Sequence, residues 1–260
     1  MAVVIRRDIC WSGALVSLEQ QLVLCLVVVV LAAVQSVFGV GLLLFGTPTL
    51  LLLGYPFEQV LAFLLPCSIV ISLLQVLTSG GFTLEPIRRR MLIFTAPTVL
   101  VGTILILTAG SRLNIETIVG TMLVVTALLR VSAPVQRLMS TFVRRHQPAF
   151  LTGLGIIHGV SNLGGGIFTF IVGSSYERKD EVRRHIAFGY GMMASIQMAA
   201  LLVTTRPDVD PYLWILLPAL AAGTYLSVGQ RLFRSIGQAL YQRSLTGLIA
   251  GYGILLLVRA

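Results

Sequence analysis

Long apolar runs alternate with short polar connections along the chain. The runs fall near 22–54, 59–79, 91–110, 115–133, 149–175, 186–205, 212–229 and 244–258. Most reach or exceed the roughly 18 residues that mark a membrane span. They are continuous rather than alternating with a period of two, so they predict helices and not barrel strands. The expected fold is all-α: a polytopic integral membrane protein with about eight hydrophobic segments. Two runs, 22–54 and 149–175, are longer than one crossing needs, and both are interrupted. The first contains QSVFGVGLLLFGTP (35–48) and the second HGVSNLGGG (158–166). Glycine costs roughly 1 kcal/mol relative to alanine inside a helix, so these stretches read as breaks.

The polar connections orient the segments. EPIRRR (85–90) is basic, as are 130–146, YERKDEVRRH (176–185) and the connection holding Arg231, Arg234 and Arg243. SRLNIE (111–116) and RPDVDP (206–211) are weakly charged or lean acidic. Basic connections stay on the inner side of a membrane. All four basic connections share the inner side only if 149–175 enters the membrane and turns back. That segment then becomes two half-helices meeting at SNLGGG. The first break overlays on the second: Gln35 falls on His158, Gly41 on Gly164 and Leu43 on Gly166, all 123 positions apart. Further on, Cys67-Ser68-Ile69 falls on Ala194-Ser195-Ile196. If 22–54 is re-entrant too, each half holds one broken element and three crossings. An odd number of crossings makes the halves inverted repeats. The expected organisation is an N-terminal segment 1–21, a first repeat 22–133, a basic cytoplasmic linker 134–148 and a second repeat 149–260. It puts the N-terminus outside, with Asp8 and Glu19 offsetting Arg6 and Arg7. A plain eight-span bundle is the alternative.

Composition supports this picture and removes other classes. The chain is 56% hydrophobic with a mean hydropathy of +0.92. Its net charge of +9 sits in short loops, which is the positive-inside pattern and does not call for nucleic acid. Cys10, Cys25 and Cys67 have no CxxC spacing, so neither a metal site nor a disulfide framework is expected. The run from Leu22 is too long for the apolar core of a signal peptide. Neither GxSxG nor HExxH occurs, and an enzyme is not expected. No GxxxxGK[ST] occurs either. A transporter would therefore draw on a gradient or on a separate subunit. No cofactor is implied.

Broken helices in corresponding places of two inverted repeats point to a transporter site. A break frees backbone N–H groups at a new helix start, where the dipole favours an anion. Gly39 and Gly41 in the first break, and Gly164, Gly165 and Gly166 in the second, would let the backbone approach a ligand. Close helix packing through small residues is the other use of such glycines. Ser36, Ser161 and Asn162 are candidates to cap half-helices or touch the ligand. His158 is the imidazole deep in an apolar run. It is a candidate proton carrier or anion partner, or a neutral side chain bonded to a carbonyl. Gln35 precedes the first break as His158 precedes the second. Gln75 and Gln197 either line the cavity or bond across helices. Acidic residues such as Glu58, Glu85 and Glu116 fall at segment ends. An anion site built from neutral dipoles needs no buried carboxylate, whereas a cation carrier usually has one.

With the two breaks in view, the chain resembles the sulfite exporter TauE/SafE family of membrane permeases. That family's first break reads roughly G-x-G-G-G with a proline five residues on. Gly39, Gly41 and Pro48 match it, while Leu42 and Leu43 replace two glycines. In the second break Leu163-Gly164-Gly165-Gly166 matches, with Asn162 in place of the leading glycine and Ile171 in place of the proline. The resemblance implies export of small sulfur-containing anions, such as sulfite or organosulfonates, across a prokaryotic inner membrane. The departures fall where the binding backbone is expected, so the particular substrate stays open. The expected partners are a small anion, membrane lipid and a proton gradient. A passive anion channel and a non-transporting scaffold are the competing classes. Oligomeric state is left open.

Overall fold

The computed structural model describes residues 17–79, 85–109, 115, 117–122, 125, 141–143, 145–205, 207, 209–237, 239–241, 243, 244 and 247. Among the described residues there is helix and no strand. The principal helices are α1 (Leu18–Phe38), α2 (Leu42–Leu52), α3 (Phe57–Thr78), α4 (Pro86–Ala109), α5 (Gln147–Ser161), α6 (Gly164–Ser175), α7 (Lys179–Thr204) and α8 (Pro211–Ser235). Of these, α1, α3, α4, α7 and α8 are long and apolar enough to cross a membrane. The expected segments 115–133 and 244–258 lie largely outside the described residues. So do the N-terminal segment and most of the linker, and α5 already begins inside the stretch assigned to that linker.

Local chemistry sets the helix ends. Ser17 and Gln20 form a reciprocal capping box at the start of α1. Asp210 accepts from the Tyr212 N–H at 2.9 Å and Pro211 opens α8. α1 stops at Gly39, whose φ of 75° is left-handed. α5 stops at Asn162, φ 63°, the described non-glycine residue with positive φ. Asparagine tolerates that conformation better than most residues.

Both breaks occur where the glycines stand. The second divides a 15-residue α5 from a 12-residue α6. At 1.5 Å per residue these are about 22 and 18 Å long, each short of the roughly 30 Å hydrocarbon core. The first break is not two half-helices. Its α1 has 21 residues, about 32 Å, and only the 11-residue α2 is short.

Side-chain pairs show that the second broken element returns to the face it left. Arg90, near the start of α4, donates to Gln147 at the start of α5. Glu85, just before α4, pairs with Arg184 near the start of α7 at 2.8 Å. Residues 147 and 184 therefore share one end of the bundle, so α5 and α6 enter and turn back. Lys179 donates to the carbonyls of Phe233 and Ile236, which brings the end of α8 to the same face. This is the face carrying the basic connections, as the loop charges predicted.

α3 and α7 hold the same place in the two halves and run antiparallel. Ser72 sits beside Gly191 in mid-helix. At the end of α3, Thr78 Oγ1 lies 2.6 Å from Tyr225 Oη. Tyr225 and Arg183, near the start of α7, both donate to Gln230 Oε1. Corresponding helices pointing in opposite directions are what inverted repeats produce. The corresponding helices α4 and α8 then each pack on the first helix of the other half. Thr95 and Thr103 of α4 donate to the Leu151 and Gly159 carbonyls of α5 at 3.0 and 3.3 Å. Gly229 of α8 lies against Ser36 of α1. Outward aliphatic side chains such as Leu22, Leu105, Ile215 and Val203 are exposed, as helices facing lipid require.

Candidate functional site: two glycine breaks

At the first break the Gly39 N–H donates to Gln35 O at 2.8 Å, closing α1. The Gln35 side chain then turns to the new helix. Its Oε1 accepts from the Leu42 N–H at 3.1 Å, satisfying an amide at the start of α2. Its Nε2 donates to Ser68 Oγ at 3.0 Å and faces Ser72 Oγ at 3.4 Å. Gln75 Nε2 donates to the carbonyls of Gln35 and Ser36 at 2.9 and 3.0 Å. A Cβ on Gly41 would lie 2.6 Å from Gln35 N, so glycine is required there by close approach. The cluster is buried, and Gln35 has partners for both ends of its side-chain amide.

At the second break the Asn162 N–H donates to His158 O at 2.7 Å, the counterpart of the Gly39 bond. Gln197 Nε2 donates to the same carbonyl at 3.2 Å, the counterpart of Gln75. From here the halves diverge. α6 opens at Leu163 with no side-chain cap, and its first turn is Gly164-Gly165-Gly166. His158 and Asn162 are fully buried. Both ring nitrogens of His158 and the Oδ1 of Asn162 lack a hydrogen-bond partner among the described residues. Asn162 Nδ2 donates to Thr47 Oγ1 of α2 at 2.8 Å, the polar link between the two broken elements. The His158 ring meets Tyr190 edge-on at 6.0 Å. A Cβ on Gly165 would fall 1.4 Å from Tyr190 Oη, so the tyrosine covers this glycine.

The structure thus gathers His158, Asn162, Gly164, Gly165, Gly166 and Gln197 into one cluster. Gln35, Ser36, Gly39, Gly41 and Gln75 form another. Several assignments change. Ser161 and Asn162 do not begin α6. Ser161 is the last residue of α5 and bonds back to Ile157 O at 2.6 Å, although its Oγ also accepts from the Leu163 N–H. Asn162 ends α5 in a left-handed conformation. Ser36 bonds back to Ala32 O within α1 and caps nothing. Gln75 and Gln197 bond across helices, the second of the two uses expected for them. Ser68 and Ser195 are not equivalent, because Ser68 is buried on Gln35 whereas Ser195 is exposed and bonds to Gly191 O. His185 is buried, stacked on Tyr176 at 4.2 Å with Nε2 3.0 Å from Glu85 Oε2.

Buried charge was also missed. Arg88 and Arg183 are almost fully covered, although each stood outside the apolar runs. Arg183 Nη1 donates to Ser36 O at 3.1 Å, touching the first break. One signal was available for it. Arg183, Ile186, Tyr190, Ala194 and Gln197 recur at helical spacing, and all lie on the buried face of α7. Among the described residues no group of three His, Cys, Asp or Glu side chains stands close enough to hold a metal ion.

The family model for the sulfite exporter TauE/SafE matches residues 24–256, most of the chain including both breaks. The chain belongs to the TauE/SafE family. No curated protein and no solved structure matches it. TauE/SafE membership makes it an integral membrane permease or exporter, a transporter and not a member of an enzyme family. Its two TauE/SafE breaks are chemically unequal: a Gln35 side chain caps the helix start at the first, whereas among the described residues no side chain caps the helix start at the second.

Proposed function

We propose that the chain is a secondary transporter for a small sulfur-containing anion, sulfite or an organosulfonate, in a prokaryotic inner membrane. One observation carries the reading. The start of α6 offers glycine amides beside a buried His158 whose ring nitrogens have no described partner. Amides at a helix start attract an anion, and an imidazole that gains a proton pairs with it. Buried polar groups without partners are costly, so a ligand that supplies them gains affinity. Gly164 and Gly165 keep side chains out of the way. Asn162 holds the break and ties it to Thr47 of the other broken element.

Transport proceeds by alternating access, one repeat rocking against the other. Tyr190 over Gly165 favours a carrier with an occluded site over a continuously open pore. His158 takes a proton with the anion, so a proton gradient drives the cycle. The test is exchange of labelled sulfite by proteoliposomes holding the purified protein, with Gly165→Val as the disabled control. Exchange by the wild type that Gly165→Val abolishes is expected. Failure to exchange sulfite or any small sulfonate would overturn the reading.

A further inference from the structure

Apart from the breaks, the described residues line an open cavity of about 360 Å³ at the basic face, between α3, α7 and α8. Four guanidinium groups line it, from Arg178, Arg183, Arg184 and Arg234, against the carboxylates of Asp180 and Glu181. Arg184 is already paired with Glu85 outside the lining. Arg183 differs from the others because it is only 3% exposed. Its hydrogen-bond acceptors are neutral, while Asp180 in the same lining attracts it and Arg234 repels it. Nη1 donates to Ser36 O and Gln230 Oε1 at 3.1 and 3.2 Å, and the guanidinium lies 3.4 Å over the Phe233 ring. Among the described residues its Nε has no hydrogen-bond partner and no carboxylate forms an ion pair with it.

A buried guanidinium whose described hydrogen bonds all go to neutral acceptors, with Asp180 and Arg234 acting on it in opposite senses, is incompletely compensated. An anion would complete that compensation, and the cavity beside Arg183 has room for one together with its water. We infer that this cavity is an anion-binding vestibule on the basic face, with Arg183 as its floor, where the permeant oxyanion waits before reaching the breaks. The inference rests on the transport reading above. Arg183 is suited to the task because, with Nη1 engaged, the Nε–Nη2 edge of its planar group is the side on which a sulfite or sulfonate could take two parallel bonds, which an ammonium cannot offer. It also touches the carbonyl of Ser36, so its position is tied to the first break. Seating an anion on Arg183 therefore acts directly on the junction between α1 and α2. A phosphate headgroup of an anionic lipid offers the same oxyanion chemistry and is the other source of such a ligand.

The experiment is side-resolved sulfite exchange in vesicles of known orientation, comparing wild type, Arg183→Gln and Arg183→Lys. Losing a buried charge-assisted contact predicts a KM for sulfite at the basic face raised by about tenfold to a hundredfold in Arg183→Gln. The opposite-face KM should stay unchanged and Arg183→Lys should be intermediate, a split that a merely structural role would not produce. If Arg183→Gln does not fold, Arg234→Gln, on an exposed residue lining the same cavity, replaces it and should raise the same KM several-fold. Wild-type KM at the basic face in the folded variant would overturn the vestibule while leaving the transport reading intact. Wild type without any exchange would overturn both. A KM unchanged by Arg183→Gln, with loss of co-purifying phosphatidylglycerol, would make the cavity a lipid site and refute the inference.

Discussion

Gly165 tests the packing of the second break with a single methyl group. The backbone there is helical, so alanine adds no conformational strain and should favour α6 by about 1 kcal/mol. Packing opposes it. The new Cβ would fall 1.4 Å from Tyr190 Oη, 2.1 Å from Cζ and 2.3 Å from Cε2. Tyr190 is fully buried and cannot swing into open space. Overpacking of this kind costs about 1–3 kcal/mol, so the net loss reaches about 2 kcal/mol after the helix gain. For a chain of this size that lowers Tm by about 2–4 °C for each kcal/mol. Melting of the detergent-purified protein, followed by intrinsic fluorescence, measures it. Gly153 and Gly173 are the controls, since a Cβ on either meets nothing within 4 Å. Alanine at those positions should leave Tm unchanged or raise it. Tyr190→Phe removes Oη but leaves Cζ in place. Combined with Gly165→Ala it should recover part of the loss, with a coupling of about 0.5 kcal/mol or more. If Gly165→Ala melts as high as Gly153→Ala, Tyr190 does not cover the glycine and the occluded geometry is wrong.

Gln35→Leu should cost about 1–3 kcal/mol, because it leaves the buried Leu42 N–H without its acceptor; an unchanged melting curve would contradict the self-capped first break. With His158 as proton carrier, anion uptake should rise as pH falls. His158→Gln should flatten that profile while Gln197→Leu should not, and a wild-type profile in His158→Gln would exclude the proton role. In a cysteine-free background, Asp180→Cys and Arg89→Cys should both react with a membrane-impermeant maleimide from the basic side only. Labelling of position 180 from the opposite side would exclude a re-entrant second break.

Much of the fold was legible because two physical signals agree in this chain. Apolar length located the helices, and the glycine clusters located the breaks at Gly39–Gly41 and at Asn162–Leu163. Loop charge predicted the returning second element, and the Arg90–Gln147 and Glu85–Arg184 pairs bear it out. The details that failed depend on direction and register. Asparagine both begins helices and tolerates left-handed backbone, so Asn162 was read as opening α6 when it closes α5. A match of two identical residues, Ser68-Ile69 on Ser195-Ile196, was too short to fix register. The bonds of Gln75 and Gln197 to the two break carbonyls fix it instead. Arg183 was hidden because hydropathy assigns an arginine-rich stretch to a loop, whereas α7 already begins at Lys179. Its burial comes from Phe233 and Gln230 of α8, about fifty positions away in sequence. The unequal chemistry of the breaks was half visible. Leu42 and Leu43 marked the first as different, but that Gln35 fills the vacated role required its side-chain bonds.

Counterflow tests the central claim most directly. Proteoliposomes loaded with unlabelled sulfite and diluted into trace labelled sulfite should accumulate label transiently above the equilibrium level. That overshoot should disappear in Gly165→Val. Label that only equilibrates downhill would indicate a pore, and label that stays outside would contradict transport of sulfite altogether.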